Sequence, residues 1–120
     1  MKRVLVVEDS VSIRQKIKDI LTVNGYAVDE AIDGLDGLRK LEGTLYDCII
    51  TDINMPNMNG IELIKKVRSR DDNKLVPILV LTTESQSDML RLGKNAGATG
   101  WLVKPFNEEK LIKTLNRIIE

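Results

Sequence analysis

Five polar side chains stand where apolar runs of this chain stop. Glu8 and Asp9 follow residues 4–7, Asp52 follows 48–51, Thr82 follows 78–81, and Lys104 follows 100–103. Three carboxylates brought together raise one another's pKa unless a cation sits among them. The chain has no histidine, and its lone cysteine lies inside an apolar run, so the ligands on offer are hard oxygens. Those suit Mg²⁺, or Mn²⁺, over zinc or copper. Magnesium takes about six oxygens at about 2.1 Å and keeps several waters, so two or three carboxylates and a loop carbonyl can hold it and leave room for a phosphoryl oxygen. Phosphoryl transfer asks for an in-line nucleophile and positive charge on the equatorial oxygens. Asp52 can be that nucleophile, forming an acyl phosphate. The cation and Lys104 would neutralise the incoming group from two sides, and the Thr82 hydroxyl would donate to a third oxygen. Taken singly, each residue has a plainer reading: Asp52 and the Glu8-Asp9 pair as helix caps, Thr82 as a strand-end hydroxyl, Lys104 as a solvated lysine. What favours chemistry is their arrival together.

The elements that would position them alternate strictly. Residues 4–7 form a continuous apolar run, as in a strand buried on both faces of a parallel sheet. Ile13, Ile17, Ile20 and Leu21 at helical spacing, stopped by Asn24-Gly25, predict a helix over about 11–23. Residues 26–32 predict a second strand. Asp33 or Asp36 can cap a second helix with apolar positions Leu35, Leu38 and Leu41 and Gly43 near its end. The third strand, 48–51, delivers Asp52. Ile61, Leu63, Ile64 and Val67 mark a third helix to about Arg70, and the polar run RDDNK reads as a surface connection. Pro77 opens the fourth strand, 78–81. Ser85 with Asp88 resembles a capping box for a fourth helix that closes at Asn95-Ala96-Gly97. The fifth strand is about 100–103, and Asn107 caps a last helix striped by Leu111, Ile112, Leu115, Ile118 and Ile119. Five strands alternating with five helices through short connections imply right-handed crossovers and a doubly wound parallel sheet. In such a sheet the ligand site lies beyond the carboxyl ends of the strands, where the five residues stand.

Length and charge narrow the class. With 120 residues the chain is read as one domain, 1–120. Lys plus Arg and Asp plus Glu each number 18, so no net field draws it to nucleic acid or an anionic membrane. Cys48 is the only cysteine, which leaves no disulfide framework and no CxxC pair. The start, MKRVLVVEDS, has too short an apolar stretch for a signal sequence or a membrane span. A cytoplasmic monomer is expected.

In this order and spacing, Glu8-Asp9, the run DINMPNMNG from Asp52, LTT at 81–83, and AGATGWLVKPF with Lys104-Pro105-Phe106 resemble the receiver domain of two-component response regulators. This is the CheY-like family, and the match covers essentially the whole chain. The resemblance implies a flavodoxin-like (βα)5 fold with strand order 2-1-3-4-5, an order known for the family and not read from spacing. It implies that Asp52 accepts a phosphoryl group from the phosphohistidine of a histidine kinase or phosphotransfer protein. Asp9 and Asp52 would bind Mg²⁺ directly, Glu8 directly or through water, and Asn54 through its backbone carbonyl. The Lys104-Pro105 bond is often cis in such domains. Thr82 and the aromatic position, Trp101, would form the switch. Trp here replaces the commoner Tyr or Phe; it is larger and lacks a phenolic hydroxyl, so a half-buried edge-strand role stands beside the switching one. Asn54 and Glu84 would tune dephosphorylation to seconds or minutes. Output would be a downstream protein bound at the face of the fourth helix, fifth strand and fifth helix. Beyond self-catalysed phosphotransfer and autodephosphorylation, no enzyme activity is implied. A stand-alone regulator of chemotaxis type, a phosphorelay shuttle, and a receiver cut from a longer regulator would all end where this chain ends. Other readings are an aspartyl-phosphate phosphatase of haloacid dehalogenase type, which would carry DxD on its first strand where this chain has Asn54 after a third-strand Asp, a flavin module, and a receiver-like module that is never phosphorylated.

Overall fold

A computed structural model describes residues 1–70, 73–83 and 87–119. The strands β1 (Arg3–Val7), β2 (Ala27–Ala31), β3 (Cys48–Asp52), β4 (Ile78–Thr82) and β5 (Gly100–Val103) alternate with helices α1 (Val11–Val23), α2 (Gly34–Leu41), α3 (Gly60–Arg68), α4 (Ser87–Ala96) and α5 (Glu108–Ile119). All strand pairs are parallel, in the order β2-β1-β3-β4-β5. The expected doubly wound flavodoxin-like sheet is therefore present.

Period-two alternation along each strand divides the core into two layers. Val4, Val6, Cys48, Ile50, Leu79 and Leu81 face Ile17, Leu21, Leu111 and Leu115 of α1 and α5. Leu5, Val7, Ile49, Ile78 and Val80 face Leu41, Leu63, Ile64, Val67 and Ala96 of α2, α3 and α4. Register then sets which strand ends meet. Val7 lies opposite Thr51, so Glu8 comes level with Asp52. Thr82 lies opposite Val103, which puts Lys104 just past the same edge. No helix among the described residues is long and apolar enough to cross a membrane.

The helix starts follow the capping residues. Ser10 Oγ accepts from the Ile13 N–H, and Asn59 forms a capping box with Glu62. The choice between Asp33 and Asp36 falls to Asp33, which accepts from the Asp36 N–H at 2.8 Å, while Asp36 turns back to the Ile32 N–H. Asn107 Oδ1 accepts from the Lys110 N–H, as expected of a cap. Gly25 takes the left-handed backbone (φ +88°) that the Asn24-Gly25 stop requires.

Four expectations change. Leu35 is 47% exposed, and α2 buries Gly34 and Gly37 together with the expected Leu41. A Cβ on Gly37 would stand 3.2 Å from a Val7 methyl, so α2 approaches β1 closely at that position, while Leu41 one turn on fills the core. Strand β2 is shorter than 26–32: the Tyr26 hydroxyl donates to Asn116, and Ile32 is exposed. Helix α3 ends at Arg68 and not near Arg70. Last, Asn73 of the polar run is not a surface residue but only 3% exposed. Its Oδ1 accepts from the Tyr46 N–H at 3.2 Å and its Nδ2 donates to the Thr44 carbonyl at 3.0 Å, fastening the approach to β4 against the turn before β3. Asp71, Asp72 and the Ser85 half of the expected capping box lie outside the described residues.

Replacing Asn73 by Ala leaves both of those buried backbone groups unpaired. Urea unfolding should show a loss of about 1–3 kcal/mol with an unchanged slope; a midpoint equal to that of the parent chain would remove this role.

Candidate functional site

The site is assembled from the carboxyl ends of β1, β3, β4 and β5. Glu8 is 1% exposed and Asp52 8%, while Asp9 is open to solvent. One carboxylate oxygen from each lies within 4.8 Å of the others. Lys104 reaches in from the end of β5. Its Nζ donates to Glu8 Oε1 at 2.9 Å and to Asp52 Oδ2 at 3.0 Å. The remaining oxygens are held by backbone: Asp52 Oδ1 accepts from the Ile53 N–H at 2.7 Å and Glu8 Oε2 from the Ser10 N–H at 3.1 Å. The Lys104 N–H donates to the Thr82 carbonyl, and the Lys104-Pro105 peptide is cis. Thr82 is fully buried at the end of β4.

Burial raises the Glu8 pKa above the ordinary carboxylate value, and the charge of Asp52 adds to the rise; the Lys104 and Ser10 hydrogen bonds pull the other way without cancelling it. For Lys104, burial opposes the ammonium, but Glu8 and Asp52 together outweigh it and the pKa ends above its usual value. One ammonium thus faces three carboxylates. The excess negative charge and all-oxygen donor set fit a hard divalent cation.

The structure brings Glu8, Asp9, Asp52, Thr82 and Lys104 to one edge. Asn54 stands exposed in the loop after β3, two residues from Asp52. Glu84 lies outside the described residues. Trp101, on β5, packs against α4: a Cβ at Gly93 would be 2.5 Å from the indole Cζ3. The indole N–H is buried with no hydrogen-bond partner among the described residues. Gly93 was not among the residues expected to matter, although a glycine inside a helical pattern costs about 1 kcal/mol and so signals close packing. Arg14 was missed as well. Its Nη1 donates to the Glu8 carbonyl at 2.8 Å and its Nε to Glu30, bracing the turn that carries the acidic pair.

Comparison with known proteins agrees with this arrangement. A model of the family described as response regulator receiver domain matches residues 4–116. The chain is 35% identical over 119 residues to chemotaxis protein CheY-3 of Vibrio cholerae, covering 98% of this chain and 92% of that one. It is similar to the solved structure of chemotaxis protein CheY4 of Vibrio cholerae, with TM-score 0.95, 50% identity and 98% of each chain covered. It is also similar to the receiver domain of a sensor histidine kinase from Pseudomonas aeruginosa, solved with a magnesium ion coordinated in its active-site cleft, with TM-score 0.91, 30% identity, and 98% of this chain and 97% of that one covered.

The Lys104 contacts predict a pH-dependent defect. With Lys104→Met, Glu8 and Asp52 face each other without the ammonium, and metal-free protein should lose about 1–3 kcal/mol at pH 7. Without Lys104 the Glu8 pKa rises further, so protonation of Glu8 relieves the repulsion as pH falls from 7 toward 5. Lys104 itself stays charged throughout that window. The gap to the parent chain should therefore narrow toward acid pH in paired urea melts; a constant or widening gap contradicts the arrangement.

Proposed function

The chain belongs to the response regulator receiver domain family of two-component signalling, and from that premise we propose that Asp52 accepts a phosphoryl group from a phosphohistidine of a histidine kinase or phosphotransfer protein. The observation that carries this reading is the Lys104 ammonium drawn onto a buried Asp52 beside Glu8. Asp9, Asp52, the Asn54 backbone carbonyl and Glu8, directly or through water, would hold Mg²⁺; the Pseudomonas receiver with magnesium in its cleft supports the choice of ion. When bound, the metal supplies positive charge to the phosphoryl oxygens and fixes their orientation.

Asp52 Oδ1 is engaged by the Ile53 N–H, so Oδ2 is the attacking oxygen. It forms the new O–P bond as the donor's P–N bond breaks, and the imidazole leaves with the bond's electron pair. Lys104 passes its hydrogen bond from Oδ2 to a phosphoryl oxygen, and the Thr82 hydroxyl donates to another. The same groups would stabilise hydrolysis, in which water attacks the phosphorus and the Asp52 carboxylate leaves with the electron pair of the O–P bond, and Asn54 and Glu84 would tune it to a lifetime of seconds to minutes. The drawing-in of Thr82 is the signal. Trp101, which pairs with Val80 two residues before Thr82, would relay the change to the face of α4, β5 and α5, where a downstream protein would bind. The domain would span 1–120, monomeric and cytoplasmic, with chemotaxis-type output the reading that the Vibrio relatives support.

The decisive test is intact mass after a small phosphodonor is added with Mg²⁺. The parent chain should gain one phosphoryl group and lose it within minutes, while Asp52→Asn should gain none; undiminished labelling of the variant, or decay over many hours, refutes the corresponding assignment. In the same experiment Trp101 emission should change with the labelled fraction, and constant emission at full labelling would deny the indole a switching role.

A further inference from the structure

A hydrogen bond outside the acidic cluster joins the loops on either side of it. Asp33, the N-cap of α2, uses both carboxylate oxygens: Oδ1 accepts from the Asp36 N–H at 2.8 Å, and Oδ2 accepts from the Asn57 side-chain amide at 2.7 Å. Asp33 is only 7% exposed. Asn57 belongs to the loop between Asp52 and α3 and holds φ +68°, a left-handed conformation that asparagine tolerates better than most residues. Beside it the same two segments meet without a gap. A Cβ on Gly34 would stand 2.7 Å from the Met58 carbonyl oxygen and 2.8 Å from Met58 Cβ.

The base of this loop is also closed. The Gly60 N–H donates to the Ile53 carbonyl at 2.8 Å, and a Cβ on Gly60 would collide with the Asp52 carbonyl. Residues 53–60 are thus tied at their base to β3 and at their tip to α2, with Asn54 between the two ties. A side-chain ligand can re-aim by changing rotamer, but a backbone carbonyl moves only with its loop. Whatever fixes the loop fixes the ligand.

We propose that Asp33 and Asn57 form a clasp that positions the Asn54 backbone carbonyl for the divalent cation, and so sets the site's magnesium affinity from outside the ligand set. The inference rests on the metal reading given above. Its other consequence, an ordered loop in the metal-free protein, does not depend on that reading. The hydrogen bonds Asp33 receives hold its carboxyl below the ordinary range, first through the Asp36 N–H and then through the Asn57 amide. Asp33 is therefore a two-fold acceptor at neutral pH.

Two substitutions cut the clasp from opposite sides while sparing local structure. Asn57→Gly keeps the left-handed backbone and removes the amide; Asp33→Ser keeps an oxygen to cap α2 and removes the second acceptor. Calorimetric titration of the full chain with Mg²⁺ should show each variant binding about tenfold more weakly, the low end for residues that support metal ligands. The double variant should be no weaker than either single one, because both remove the same bond. Amide exchange of residues 54, 55, 57 and 58 in metal-free protein should quicken in both variants, with β3 and α3 unchanged. Parental affinity in both single variants, losses that multiply in the double variant, or loop exchange at the parental rate would each overturn the proposal. A parent chain that takes up no magnesium would instead sink the metal reading, and the exchange rates alone would then decide whether the clasp orders the loop.

Discussion

Two carboxylates buried side by side cannot both stay ionised unless a cation lies between them. Most of this molecule's architecture serves that requirement. Glu8 and Asp52 arrive on adjacent strands because β1 and β3 pair in parallel with Val7 opposite Thr51. The compensating ammonium comes from 96 residues away in sequence. It can reach them because β5 is registered against β4 and the Lys104 N–H is fixed to the Thr82 carbonyl. The chain beyond it is held too: Lys16 of α1 donates to the Phe106 carbonyl at 3.2 Å, its ammonium 5.0 Å from the ring centroid. Opposite charges on non-adjacent strands are thus joined across the edge where the sheet's winding reverses, the position at which doubly wound folds place their ligands.

Compensation by Lys104 is incomplete by design of the charges. With three carboxylates and one ammonium, Glu8 keeps a raised pKa even with Lys104 beside it. A better balanced cluster would be more stable and would attract a divalent cation less. Local cost of this kind is characteristic of functional sites, and it is offset elsewhere. Here the offset is in the two apolar layers, where the strand residues 4–7, 49–50 and 79–80 are fully buried.

Patterns carried by many residues could be read from the sequence, and those carried by one contact could not. The strand runs, the α1 and α5 stripes, and the polar residues at the strand ends each repeat a signal, so the alternation of ten elements and the membership of the acidic cluster were legible. Leu35 was misplaced because periodicity assumes that a helix buries its large side chains, whereas the first turns of α2 pack through Gly34 and Gly37 and, of its leucines, only Leu41 is fully buried. Asn73 looked like part of a solvated run because its value lies in two backbone groups that no composition reveals. The Asp33–Asn57 bond spans 24 residues between two loops. Asp33 was legible as a cap, whereas Asn57 stood unremarked inside the run DINMPNMNG, and nothing in the spacing joined them.

Trp101 shows how a single position reshapes its surroundings. A phenol at this place can bury its ring and leave its hydroxyl at the water boundary, since the polar atom is at the far end. An indole carries its N–H on the side of the ring, and here that N–H goes under with no partner among the described residues. Apolar contact then favours the inward ring while the unpaired donor opposes it, two terms of similar size. The larger ring also needs room, and Gly93 provides it by leaving α4 without a side chain at the point of contact. The glycine weakens the helix it belongs to. Helix propensity, ring size and hydrogen-bond satisfaction therefore trade against one another at a single contact, in the layer between the sheet and α2, α3 and α4. The residue pair Gly93 and Trp101 is best understood as one unit, in which neither identity makes physical sense without the other.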